Sequence, residues 1–163
     1  MDEPTWFKQL KWSKAVHIAE LNASRPRQIP DFTGCYAFTE GCIALAPGRV
    51  LYVGEAARQT LKRRIPVYLE DIRSNLRTTP SAIAGHQKRK EHKGKGFVLE
   101  MRDKLGDAGV YVRWVEYGAS EQEIHILEAS LISYLNPLAN DRVEEARHPL
   151  LGDDEQLNRR LLR

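Results

Sequence analysis

Six side chains in this sequence could act together on a phosphate: Tyr36, Tyr52, Arg64, Tyr68, Glu128 and Asn140. An arginine supplies fixed positive charge to phosphoryl oxygens. One carboxylate can anchor a Mg²⁺ that keeps most of its waters and takes its remaining ligands from phosphate. Phenols offer hydroxyls for hydrogen bonding or proton transfer. Both strand tyrosines sit beside a glycine, in GCY (Gly34–Tyr36) and YVG (Tyr52–Gly54). A plain hairpin core needs neither pairing, whereas a glycine permits close backbone approach or an unusual turn.

These residues need elements to hold them. GCYAFTE and RVLYVG read as two strands close in sequence, so antiparallel pairing is economical. VYVRWVEYG, rich in aromatic and β-branched residues, reads as a third strand. Ser120 and Glu123 form an S-x-x-E capping box that starts a helix. Its buried stripe is Ile124, Leu127, Leu131 and Leu135, and Asn136-Pro137 ends it. Glu128 borders that stripe and can face a cleft near the sheet. Trp6, Phe7, Leu10, Val16, Ile18 and Leu21 give a roughly helical pattern, predicting a helix from Thr5 to about Asn22. After Gly54, the apolar residues Leu61, Ile65, Tyr68, Leu69 and Ile72 also fall at helical spacing. Pro66 suits the first turn of a helix beginning near Arg64.

The 163 residues suggest one domain. Its expected parts are an N-terminal helix and connector over 1–31, a core over 32–140 with a basic insertion at 78–96, and a tail over 141–163. FVLEMRDKLGDAG reads as a short helix ending at Gly106 or Gly109, and the tail adds one weak helix at Asp153 to Leu162. No apolar run approaches the ~18 residues of a membrane span, so no membrane partner is expected. MDEPTWFKQLKWSKA has acids and tryptophans where a secretory signal has a basic start and apolar core, which points to a cytoplasmic protein.

Net charge is only +3, but it is unevenly spread. From Arg58 to Lys104 there are 13 Lys and Arg against 5 Asp and Glu, leaving 12 against 17 elsewhere. Such a concentration suits a polyanion, although a solvated charged face is the commoner origin of any one run. Cys35 and Cys42 form no C-x-x-C pair, and Cys35 reads as a small buried side chain. Singly, Tyr36 and Tyr52 read as core tyrosines and Glu128 as a solvated helix residue. His125 could reach the cleft, but a partly buried, hydrogen-bonded histidine is the default. His86 and His92 sit among lysines in a basic loop, and Trp6, Trp12 and Trp114 read as core.

As an ordered set, the chain from Phe32 to Asn140 resembles the GIY-YIG nucleases. GCY stands for the first family motif, YVG for the second, and LKRRIPVY for the helix that carries an arginine and, four residues on, a His or Tyr. LEASLISYLNPLAN supplies the glutamate and the N-P-L-x-N-like turn, with Glu128 and Asn140 twelve residues apart. Cys35 and Val53 replace the isoleucines of the two motifs. The gap from Gly54 to Arg64 is about two residues longer than in compact members, which leaves Arg63 as an alternative to Arg64. The basic span 78–96 has no counterpart in minimal family domains.

The resemblance implies a small three-stranded antiparallel sheet flanked by helices, in the α/β (α+β) class, and a metal-dependent DNA endonuclease. Hydrolysing a phosphodiester needs an activated water, neutralised phosphoryl charge and a stabilised leaving oxygen. The resemblance makes Tyr36 the general base, which for a phenol of ordinary pKa ~10 asks for neighbouring positive charge. Tyr52 orients phosphate or water, and Tyr68 binds phosphate or positions the base. Glu128 holds Mg²⁺, for which Mn²⁺ can substitute, and Asn140 holds the end of the Glu128 helix or touches DNA. Gly34 and Gly54 are structural. DNA backbone contacts are expected from Arg58, Lys62, Arg63, Arg73, Arg77, Lys88, Arg89, Lys90, Lys93 and Lys95. A restriction-type role fits a chain of this size, since compact members cut duplex DNA as dimers, and a homodimer is left open. The rivals are a nucleic-acid-binding module with an inactive site and a protein-interaction domain with a merely soluble basic surface.

Overall fold

The computed structural model describes residues 3–18, 20–21, 28–66, 109–138 and 140. Its centre is a four-stranded antiparallel sheet of β1 (Val16–His17), β2 (Gly34–Glu40), β3 (Val50–Ala56) and β4 (Val110–Glu116), in the order β1-β4-β2-β3. Helices α1 (Thr5–Gln9), α2 (residues 61–66) and α3 (Glu121–Leu135) complete an α+β fold. Among the described residues, no helix is long and apolar enough to cross a membrane.

The expected sheet of three strands gains a fourth, and the expected helix over Thr5 to Asn22 stops at Gln9. The reason is tertiary. The Ser13 amide donates to the Trp114 carbonyl at 2.8 Å, and Ser13 Oγ accepts from the Trp114 amide at 3.0 Å. Arg113 Nη1 donates to the Ser13 carbonyl at 3.1 Å. Val16 then pairs with Val112 and His17 with Tyr111. Val16 and Ile18 stand two residues apart, a strand period, and β-branched side chains suit a pleated surface. Pairing with the open edge of β4 thus outweighs the helical spacing that Trp6, Phe7 and Leu10 begin.

Strand β2 lies at the centre and is buried except at Glu40, as a strand covered on both faces should be. One face carries Tyr36, Phe38, Leu51, Val112 and Trp114, packed with Leu61 and Ile65 of α2 and with Ile18, Leu21 and Ile29. The other carries Cys35, Ala37, Val50, Val53 and Val115, packed with Ile124, Leu127, Leu131 and Leu135 of α3 and with Trp6 and Phe7. The alternation along β2 therefore sends Tyr36 toward α2 and Cys35 toward α3.

Helix α2 begins at residue 61 rather than near Arg64, so Pro66 falls on its sixth residue instead of in its first turn. The early start has a cause distant in sequence. The amide of Leu61 donates to the Phe32 carbonyl at 2.8 Å and that of Lys62 to the Pro30 carbonyl at 3.1 Å. Two amides that a helix start leaves without intrahelical partners are thereby satisfied. Helix α3 begins as its sequence dictates. Ser120 Oγ accepts from the Glu123 amide at 3.3 Å, and Glu123 Oε2 accepts from the Ser120 amide at 3.0 Å. It ends at Asn136, whose left-handed φ of 45° turns the chain before Pro137.

A candidate active site around edge strand β3

In the β2–β3 register Tyr36 stands opposite Gly54. A Cβ built on Gly54 would lie 2.5 Å from both Cζ and Oη of Tyr36. The missing side chain is therefore what lets the phenol lie across β3, the edge strand. A Cβ on Gly34 would collide with the Val115 carbonyl, so this glycine permits close approach of β2 to β4. Tyr52 lies on the same face, its ring centroid 6.4 Å from that of Tyr36 at an interplanar angle of 53°. Tyr36 is fully buried and Tyr52 half-buried.

Arg64 on α2 donates its Nε–H to Tyr36 Oη at 3.3 Å. Its neighbours Lys62 and Arg63 are exposed, while Arg64 is half-buried. Of the two candidate arginines, Arg64 is thus the one that turns in to the tyrosine.

On the α3 side, the carboxyl of Glu128 hydrogen-bonds that of Glu55, which follows Gly54 on β3. His125 Nδ1 lies 2.5 Å from Glu55 Oε2, and its Nε2 lies 3.2 Å from Glu121 Oε1. Glu121 in turn accepts from Arg58 Nε at 2.5 Å. Burial pushes the Glu128 carboxyl up to about 8, and the negative charge of Glu55 adds to this. The positive charge of Arg64 opposes it, and the hydrogen bond with Glu55 raises it further. Arg64 therefore hydrogen-bonds the phenol and acts by its charge on the half-buried carboxyl. Burial also pushes up the Cys35 thiol, with Glu128 and then Glu55 adding to it, as expected for an inert core thiol beneath two acids.

Ligand atoms of Glu55, His125 and Glu128 all lie within 4.8 Å of one another, a group that could hold a metal ion. Asn140 has a different place from the two foreseen. Its Oδ1 accepts from the Val53 amide and its Nδ2 donates to the Val53 carbonyl, both at 2.8 Å. This side-chain amide closes the open edge of β3 next to Gly54.

The structure brings together Tyr36, Tyr52 and Arg64 on one face of the sheet, with Glu128 on the α3 side within reach of the charge of Arg64. Arg58 is tied to Glu121, while Lys62 and Arg63 line the exposed side of α2. Tyr68, Arg73, Arg77, Lys88, Arg89, Lys90, Lys93 and Lys95 lie outside the described residues, as do most of the expected helix at 97–109 and the tail. Glu55 and Glu121 are the participants that sequence reasoning missed, and His125, weighed there as a residue able to reach the cleft, joins them. A signal was present: Glu121, His125 and Glu128 recur at i, i+4 and i+7 on one helix face, and Glu55 shares strand parity with Val53. Comparison with protein-family models, with curated proteins and with solved structures gives no match.

Proposed function

We propose that this protein is a metal-dependent DNA endonuclease whose site resembles that of the GIY-YIG nucleases. One observation carries the reading: Tyr36 Oη and Arg64 Nε meet across the gap left by Gly54, within electrostatic reach of the half-buried Glu128. Neither a core tyrosine nor a core carboxylate needs that company.

The donor set fits a divalent cation, because two carboxyl groups and an imidazole offer ligand atoms within 4.8 Å of one another. Glu128 would hold the ion, and such an ion supplies Lewis-acid stabilisation of phosphoryl and leaving oxygens. The protein's own groups do the rest. An arginine only donates hydrogen bonds, so Tyr36 Oη accepts from Arg64 and directs its own proton away from the guanidinium. To act as a base the phenol first gives up that proton to solvent; the phenolate, its charge compensated by the adjacent guanidinium, then takes a proton from the attacking water. The water oxygen bonds to phosphorus, the bond from phosphorus to the leaving sugar oxygen breaks, and that oxygen takes a proton from solvent. Arg64, on a helix whose start is fixed by the Pro30 and Phe32 carbonyls, also faces the negative charge that grows on the phosphoryl oxygens. Tyr52, on the same face and partly open, orients the phosphate or the water.

DNA as substrate is favoured by the basic excess between Arg58 and Lys104, with Lys62 and Arg63 exposed beside Arg64. The test is incubation of supercoiled plasmid with Mg²⁺ or with EDTA, alongside Glu128→Ala. Nicking or linearisation that requires metal and is lost in the variant is expected. Plasmid and single-stranded DNA left intact, yet shifted in a gel, would replace the enzyme with a binding module.

A further inference from the structure

A single carboxylate with retained waters suits Mg²⁺. The surroundings of Glu128 offer more than that. Glu55 comes from β3, which Asn140 and β2 hold in place, and His125 and Glu128 come from one face of α3, three residues apart. Rigid elements thus deliver three ligand atoms to one point. With metal–ligand bonds of ~2.2 Å, trans ligands stand about 4.4 Å apart. The three donors lie within 4.8 Å of one another, so small side-chain rotations bring them onto one ion.

The orientation of the imidazole carries the argument further. Its Nε2 faces Glu121 at 3.2 Å, and Glu121 is itself anchored by Arg58. A neutral imidazole that donates Nε2–H to Glu121 presents the Nδ1 lone pair to the Glu55–Glu128 side. A carboxylate on the far ring nitrogen is the usual outer support of a metal-bound histidine, fixing tautomer and ring plane. Without an ion, the 2.5 Å approach of Nδ1 to Glu55 Oε2 needs a shared proton, and a cation takes the place of that proton.

We propose that Glu55, Glu128 and Nδ1 of His125 form one three-donor site for a first-row transition-metal dication, with Glu121 and Arg58 as positioning residues for the imidazole. Imidazole with two carboxylates selects such an ion over Mg²⁺, which prefers all-oxygen surroundings and parts reluctantly with its water. The role of the ion in cleavage rests on the nuclease reading; its binding does not. The competing account is a protonated His125 bridging Glu55 and Glu121 with no metal at all.

The experiment uses the full chain and Mn²⁺ as probe. Titration followed by the electron paramagnetic resonance of free Mn²⁺ gives stoichiometry and affinity, and spin-echo modulation reports a directly bound nitrogen. The expected result is one Mn²⁺ per chain with ¹⁴N coupling, and Mg²⁺ a much weaker competitor. His125→Ala removes the coupling, and it and Glu55→Gln each weaken binding about tenfold or more, while Glu121→Gln weakens it less. Circular dichroism in EDTA confirms that each variant is folded. The nitrogen coupling in the unaltered chain requires no variant at all. Absence of that coupling, or equal competition by Mg²⁺, overturns the proposal. Plasmid cleavage with Mg²⁺ but no nitrogen-bound Mn²⁺ would leave the nuclease and remove this site. Nitrogen-bound Mn²⁺ without cleavage of any DNA would do the reverse.

Discussion

Replacing Glu128 with glutamine should stabilise the metal-free protein at alkaline pH, although it removes a charged group. The Glu128 carboxyl is lifted from 4.5 to about 8, by burial first and then by the charge of Glu55, with Arg64 opposing. In the unfolded chain it ionises above about 4.5; in the folded chain it keeps its proton until about 8. Below the lower value both states are protonated and nothing is lost. Between the two, each pH unit costs the folded state about 1.4 kcal/mol, and above the upper value the whole cost is present. The full shift corresponds to an upper limit of about 5 kcal/mol. Water entry and side-chain relaxation bring this to roughly 2–3 kcal/mol, since buried sites behave as if more polarisable than a dry interior. Glutamine keeps the shape without titrating. The charged and titratable groups around it, Glu55 on β3, Arg58 beyond it, Arg64 on α2, His125 and Glu121 on α3 and Cys35 on β2, remain in both proteins and largely cancel in the difference. Urea or thermal unfolding in EDTA at pH 5 and pH 8.5 measures it. The variant should match the parent at pH 5 and gain at pH 8.5, by about 5–10 °C for a domain of this size. A variant that is less stable than the parent at pH 8.5 would refute the reasoning, because Glu128 would then be a carboxylate already compensated by Arg64.

Three further outcomes follow from the geometry. Gly54→Ala places a methyl 2.5 Å from the Tyr36 ring and hydroxyl, so it should cost about 1–3 kcal/mol and abolish cleavage, read by urea unfolding and plasmid nicking. Asn140→Ala removes two 2.8 Å hydrogen bonds to Val53 and should cost roughly 2 kcal/mol, whereas Asn140→Asp should cost more by setting a carboxylate against the Val53 carbonyl; urea midpoints rank the two. Arg64→Lys keeps charge but loses the directed Nε–H to Tyr36, so single-turnover cleavage should fall by about 10²-fold, while Arg63→Ala leaves the chemical step unchanged and weakens DNA binding and its salt dependence.

The parts of the fold written in local signals were legible. GCYAFTE became β2 with the expected bounds, VYVRWVEYG became β4 but ends two residues early at Glu116, RVLYVG became the body of β3, and the Ser120–Glu123 box opened α3. The N-terminal region was not, because Val16 and His17 become a strand only when β4 offers an edge and Ser13 locks onto Trp114. The start of α2 escaped for the same reason, being capped by carbonyls some thirty residues earlier. In the site, the identities of Tyr36, Arg64 and Glu128 stood out by type and order. Arg63 and Arg64 could be separated only by seeing which one faces inward. Glu55 and His125 carried no motif. Their meeting depends on β3 lying at the sheet edge with α3 across one face, a property of topology rather than of spacing. Asn140, singled out for the end of the Glu128 helix or for DNA, instead bonds the main chain of β3.

The most direct test of the central claim is the rate of metal-dependent plasmid cleavage by the parent and by Tyr36→Phe, with matched circular dichroism and matched DNA affinity. Removing one oxygen atom leaves the packing against Gly54 and Phe38 and deletes the hydroxyl that accepts from Arg64. The account predicts cleavage by the parent and a loss of at least about 10²-fold in the variant. Cleavage at the parental rate by Tyr36→Phe would contradict it.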